Sequence, residues 1–194
     1  MTTLISFYTK DWKYPQHAQR LCGECEQLGV PCVIEELPTT GSYLKNTCLK
    51  PQFILDKLEE LKSPVLWVDV DASLFKYPCF EDRVDFAARR MAETRKRTWH
   101  VGTMWFDYTV HMIAFLKRWI ENTGELSDES ALERTWQELG DTLVTADLPP
   151  EYFYIERKGQ TPPCDTVIMH RISDGPVKRA EMPVARRKRE EGVW

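Results

Sequence analysis

The chain has 194 residues, 42% of them hydrophobic and 11% aromatic, enough apolar material for one packed core of ordinary domain size. A formal net charge of −4, 29% charged residues and a mean hydropathy of −0.46 exclude a membrane-spanning class, and no apolar run approaches the roughly 20 residues a span needs. Nine Gly and twelve Pro exclude a fibrous or disordered chain.

The first apolar run, Leu-Ile-Ser-Phe-Tyr at 4–8, reads as a strand. It lacks the basic start, long apolar stretch and cleavage site of a secretory signal, so a soluble, cytoplasmic protein is expected. A helix follows over 14–28, where Ala18, Leu21, Cys22, Cys25 and Leu28 recur at helical spacing and Gly29 sits where a left-handed cap belongs. Cys22 and Cys25 form a C-x-x-C, but there is no second such pair, and Cys32 and Cys48 stand at no zinc-ribbon spacing. Both are therefore expected as small buried hydrophobes on one helix face.

A second strand is read at 31–37 and turn chemistry at 38–42. A helix at 51–61 carries Ile54, Leu58 and Leu61 on one face. The nearly continuous apolar run at 64–71 is what a strand buried on both faces looks like. Strands are expected at 84–88, 99–106, 152–156 and 166–170. Helices are expected at 109–121 and at 128–139, the latter capped by Ser127. This alternation predicts α/β architecture, with a mainly parallel central sheet flanked by helices in a single Rossmann-like domain. The domain is expected over 1–175, with a basic tail at 176–194 closing over the ligand site.

Charge is unevenly spread. Residues 176–194 hold six basic side chains, including Lys178 and Arg186–Arg187–Lys188–Arg189, against three acidic ones. A second basic run is Arg89–Arg90 with Arg95–Lys96–Arg97. Each is either a solvated surface or a contact for a polyanion, since clustered cations gain affinity by releasing counterions from phosphates.

The most informative position is the end of the third strand. Ligands of open α/β sheets bind outside the carboxyl ends of the strands, and the run at 65–68 delivers Asp69 and Asp71 there. If the strand continues, a period of two turns both carboxylates the same way. Such a pair repels and loses solvation unless a cation compensates, and a hard divalent ion such as Mg²⁺ or Mn²⁺ supplies that charge.

The D-x-D strand Val-Leu-Trp-Val-Asp69-Val-Asp71 resembles that of nucleotide-diphospho-sugar transferases with the GT-A fold, and other segments follow in the same order. Lys50-Pro-Gln-Phe-Ile-Leu is similar to a helix carrying a basic residue near the nucleotide. Val101-Gly102-Thr-Met-Trp-Phe is similar to a strand beside donor sugar and acceptor, with His100 where Asn is usual. Ser127-Asp128-Glu129 is similar to an acidic helix start near the reaction centre, and His170, Gly175 and Lys178 to a late metal- and diphosphate-binding element.

The resemblance implies a metal-dependent glycosyltransferase using a nucleoside-diphosphate sugar. It implies Asp71, Asp69 and His170 as metal ligands, and Tyr8, Thr9, Lys50, Asp69, Gly102 and Lys178 as donor-binding residues. Asp128 or Glu129 would be the base on the acceptor hydroxyl if the reaction inverts. It also includes phage-type enzymes acting on hydroxymethylated pyrimidine in DNA, which would engage the basic runs. Two other readings fit a strand-terminal D-x-D: a haloacid-dehalogenase-like phosphohydrolase with Asp69 as nucleophile, and a non-enzymatic nucleotide-binding module.

Overall fold

A computed structural model describes residues 2–80, 82–91, 98–124, 126–156 and 160–171. The expected basic tail, with Gly175 and Lys178, and the Arg95–Lys96–Arg97 run lie outside the described residues. The elements in chain order are β1 (Thr3–Tyr8), α1 (Tyr14–Leu28), β2 (Cys32–Glu36), α2 (Tyr43–Thr47), α3 (Lys50–Leu61), β3 (Val65–Val68), β4 (Ser73–Leu74), β5 (Phe86–Arg90), β6 (Trp99–Phe106), α4 (Val110–Asn122), α5 (Asp128–Leu139), β7 (Thr145–Asp147), β8 (Tyr154–Ile155) and β9 (Ile168–His170).

The central sheet has the order β2-β1-β3-β6-β5-β7. β1, β2 and β3 are mutually parallel, β6 runs against both β3 and β5, and β7 is parallel to β5. Five strands thus point one way and β6 opposes them, which is the mainly parallel sheet expected. A small sheet, β4-β9-β8, is built on the segment that follows β3.

Strand alternation divides the core into two faces. Ile5, Trp67 and Phe106 pack with Phe53, Ile54 and Leu58 of α3, Phe115 and Trp119 of α4, and Leu132 of α5. Their neighbours Leu4, Leu66 and Trp105 pack on the other face with Leu21 and Cys25 of α1 and with Ile168 of β9. β3 is buried at every position because helices or the second sheet cover both its faces.

Local signals explain the helix ends. Gly29 closes α1 at φ 67°, and its N–H donates to the carbonyls of Cys25 and Glu26. Thr109 and Ser127 cap α4 and α5, accepting from the N–H groups of Met112 and Ser130.

Several expectations need correction. β3 stops at Val68, not 71: the Ala72 N–H donates to the Asp69 carbonyl at 2.9 Å, so the D-x-D lies on a turn and the period-of-two argument fails there. β5 begins at Phe86 because Asp85 is buried and engaged sideways, accepting from Thr109 Oγ1 at 2.6 Å and the Val144 N–H at 2.8 Å. The stretch read as one strand over 152–156 contains the end of a 3-10 turn (Pro150–Tyr152) before β8. Cys25 is fully buried, whereas Cys22 is only half-buried. Burial pushes both thiols up, with Cys32 adding to the effect, and none of the six cysteines is in a disulfide.

Candidate active site

Because β1, β2 and β3 are parallel, their carboxyl ends open on one edge of the sheet. β6 is antiparallel, so its beginning lies at that same edge: Val68 pairs with Thr103, and the Asp69 N–H donates to the Gly102 carbonyl at 2.8 Å. This register places the D-x-D turn beside Gly102, at the edge where β1 ends.

Lys50 is the hub. It opens α3, where Pro51 follows without loss because the first helical N–H groups have no intrahelical partner. The side chain is 5% exposed. Its Nζ lies 3.1 Å from Asp69 Oδ1 and 3.2 Å from Asp128 Oδ2, donates to the Val101 carbonyl at 3.2 Å, and stands 5.2 Å from the Trp67 ring centroid. Burial works against the ammonium, but Asp69 and Asp128 together outweigh it and hold its pKa above the ordinary lysine value. Asp128 is itself 5% exposed, and burial raises its carboxyl despite Lys50. Asp69 remains partly open, its side chain 35% exposed; Oδ1 also accepts from Trp67 Nε1 at 3.0 Å. The compensating charge for Asp69 is therefore a lysine built into the fold.

On the other side of the turn, Gly102 is held between two imidazoles. Its N–H donates to His100 Nδ1 at 3.0 Å. A Cβ placed there would lie 2.7 Å from His100 Cε1 and 2.8 Å from His170 Cε1. Phe153 packs against both rings, at 4.0 and 5.2 Å between centroids, and so backs them on one side. Gly102→Ala is expected to destabilise the fold by about 1–3 kcal/mol through overpacking; a urea midpoint equal to wild type would show that the rings can move. His170 is buried, its Nε2 lies 2.7 Å from Thr103 Oγ1, and burial pulls its pKa down to about 4 against the attraction of Asp69. The imidazole is thus neutral at pH 7, the form that ligates metals.

At the ends of β1 and β2, Asp11 gathers three donors on Oδ2: Thr9 Oγ1 at 2.9 Å, Thr39 Oγ1 at 2.6 Å and Asn46 Nδ2 at 3.2 Å. These bonds, that of Thr39 foremost, hold its carboxyl below the usual range. Thr9 is buried in this network, while Tyr8 ends β1 half-buried, its carbonyl accepting from the Leu37 N–H. The half-buried phenol of Tyr43 is pushed up by burial and by Tyr14, then by Asp69, Asp128 and Asp71, which places it within the electrostatic reach of all three carboxylates.

The structure thus brings together Lys50, Asp69, Gly102, Asp128 and His170, with Asp71 on the same turn as Asp69 and Glu129 half-buried next to Asp128, while Thr9 belongs to the Asp11 network. Residues that spacing did not reveal are Asp11, Thr39, Asn46, Tyr43 and Phe153, together with Arg20 and Glu24 of α1. Among the described residues, no group of three or more His, Cys, Asp or Glu side chains is arranged to hold a metal ion. Of the mid-chain basic run, Arg89 and Arg90 end β5 at the same sheet edge. Arg89 Nη1 lies 3.4 Å from Asp147 Oδ2, and the Arg90 guanidinium sits 4.6 Å from the Trp99 ring centroid, so both have partners within the fold. No helix among the described residues is long and apolar enough to cross a membrane.

No family model and no curated protein matches the chain. Solved structures do. A glycosyltransferase involved in the glycosylation of the major capsid of PBCV-1 matches with a TM-score of 0.65 and 14% identity, over 100% of this chain and 99% of that one. The glycosyltransferase GlyE of Streptococcus pneumoniae TIGR4 matches with a TM-score of 0.61 and 14% identity; this chain is covered throughout and spans 65% of GlyE's length. At that identity the likeness is one of fold: the chain has a GT-A-type glycosyltransferase fold.

Proposed function

We propose that the protein is a metal-assisted glycosyltransferase that moves a sugar from a nucleoside-diphosphate sugar to a hydroxyl acceptor. The observation that carries this reading is the strand-terminal D-x-D set by Lys50 at the open edge of a glycosyltransferase fold. The phosphohydrolase alternative needs Asp69 as a nucleophile, yet Asp69 Oδ1 is already engaged by Lys50 and Trp67.

The residues present suit a divalent ion that arrives with the diphosphate. Mg²⁺-type sites keep several waters and use one or two carboxylates plus substrate phosphates, so they need no preformed three-ligand cage. Asp71 would be the principal carboxylate ligand, with Asp69 and the neutral His170 beside it. When bound, the ion neutralises charge developing on the leaving diphosphate. Asp69, fixed by Lys50, would hold the ribose or a water on the ion, and Lys178 would add a positive charge to the diphosphate. Asp128 acts by keeping Lys50 in place, and Glu129 is the residue we assign to take the acceptor proton in an inverting reaction.

The test is a donor panel read by nucleotide release with and without Mn²⁺, followed by an acceptor panel of proteins, small sugars and hydroxymethylated DNA. Divalent-dependent release of a nucleoside diphosphate from one donor is expected. No release from any donor, together with no thermal stabilisation by Mn²⁺ plus nucleoside diphosphates, would overturn the reading. A DNA acceptor would show itself by affinity falling steeply with salt; a flat response would remove it.

A further inference from the structure

One side of α1 reaches across to the D-x-D turn. Arg20 Nη2 donates to the carbonyl of Asp71 at 2.9 Å and to that of Ala72 at 2.8 Å, while Nη1 donates to His17 Nδ1 at 3.0 Å. Glu24, one helical turn on, lies 3.5 Å from Arg20 Nε through Oε1, and its Oε2 accepts from the Leu74 N–H at 2.7 Å. Arg20 and Glu24 therefore bind the backbone at Asp71, Ala72 and Leu74, on side chains that are three-quarters buried or more.

We propose that Arg20, held by His17 and Glu24, is a positioning residue that sets the D-x-D turn and so presents the Asp71 carboxylate to the donor's divalent ion. The inference rests on the glycosyltransferase reading and deepens it. The turn has fixed boundaries: Asp69 is tied to β6 through Gly102, and Leu74 pairs with Ile168 of β9. Between them the chain reverses, and one guanidinium nitrogen of Arg20, Nη2, bridges the two successive carbonyls there while Nη1 holds His17. A planar guanidinium places Nη2 on the carbonyls and Nη1 on His17 in one rigid plane, whereas a lysine ammonium has a single donor nitrogen on a flexible stem and cannot sit at both places. Groups that orient a metal ligand in this way change metal affinity or activity by about 10- to 100-fold when altered.

Arg20→Lys keeps the charge and removes the fork. It is expected to raise the Mn²⁺ concentration for half-maximal nucleotide release by about 10- to 100-fold, while melting stays cooperative. Glu24→Gln, which keeps an acceptor for the Leu74 N–H, is expected to shift it less. A purely structural role would lower the melting temperature and the active fraction without moving the Mn²⁺ dependence. Amide hydrogen exchange gives a readout independent of activity: exchange at 70–74 should quicken in Arg20→Lys while β6 is unchanged. Unaltered exchange at 70–74, or unaltered Mn²⁺ half-saturation in a wild type that does respond to Mn²⁺, overturns this proposal alone. A wild type that neither turns over any donor nor is stabilised by Mn²⁺ plus nucleoside diphosphate overturns the glycosyltransferase reading, and this proposal with it.

Discussion

Lys50→Met is expected to cost about 3–5 kcal/mol of folding stability, the largest effect of any single exchange at the site. Asp128 would be left 5% exposed with its counterion gone. Asp69 would suffer less, since its side chain reaches solvent and keeps the Trp67 indole N–H. The deficit has a definite pH dependence. Burial already raises the Asp128 carboxyl in wild type, and without the opposing Lys50 its folded pKa would stand higher still above the unfolded value. Between those two values the folded chain keeps a proton that the unfolded chain has lost, so the variant's stability falls as pH rises through that window. The gap to wild type should therefore be wider at pH 7 than at pH 4.5. A second exchange, Asp128→Asn in the Lys50→Met background, removes the uncompensated charge and should restore part of the loss. Urea unfolding of the three proteins at both pH values measures this. A loss under about 1 kcal/mol at pH 7 would mean that water or another cation already shields Asp128.

Much of the fold is legible in local sequence, and the reasons are visible in the residues. The boundaries of α1, β6 and α5 coincide with those read from periodicity and end signals, because Gly29, Ser127 and the apolar run at 99–106 act over a few residues. Two short strands, β4 and β7, were not legible. β4 has two residues and β7 three, and each exists only through pairing with a distant strand, Ile168–Met169 for β4 and 86–88 for β7. The reversed direction of β6 is likewise a property of the sheet, and no periodicity encodes it.

The site divides along the same line. Asp69 and Asp71 stand out because two carboxylates directly after an apolar run break the pattern. Lys50 stands out only through a resemblance. Its meaning as the shared counterion of Asp69 and Asp128 depends on contacts across 19 and 78 positions of chain. Arg20 and Glu24 read simply as an i,i+4 ion pair on an amphipathic helix. Their bonds to residues some 50 positions further on become visible only when α1 is laid on β4. The turn that ends β3 early has the same origin: the Ala72 N–H closes onto Asp69 while Arg20 takes the carbonyls of Asp71 and Ala72. A sequence of alternating valines and aspartates gives no sign of that reversal.

Asp71→Asn is expected to lower turnover about 10²–10³-fold, as removal of one group stabilising transition-state charge does, and to leave stability within about 0.5 kcal/mol of wild type. The two halves of this expectation come from different features. Asp71 lies half-buried on the turn, and its backbone carbonyl is held by Arg20 of α1, a bond the amide variant keeps. Asp69→Asn is the informative contrast, because there the carboxylate itself binds Lys50 and Trp67, so stability and activity should fall together. If Asp71 is the principal ligand, the Asn variant should also lose the thermal stabilisation that Mn²⁺ plus a nucleoside diphosphate confers on wild type, since a ligand stabilises only the state it binds. Full turnover in Asp71→Asn at saturating Mn²⁺ would transfer the metal to other residues. A variant that is inactive yet stabilised as strongly as wild type would instead move Asp71 from holding the ion to acting on the sugar, because binding would have survived while the chemical step had not.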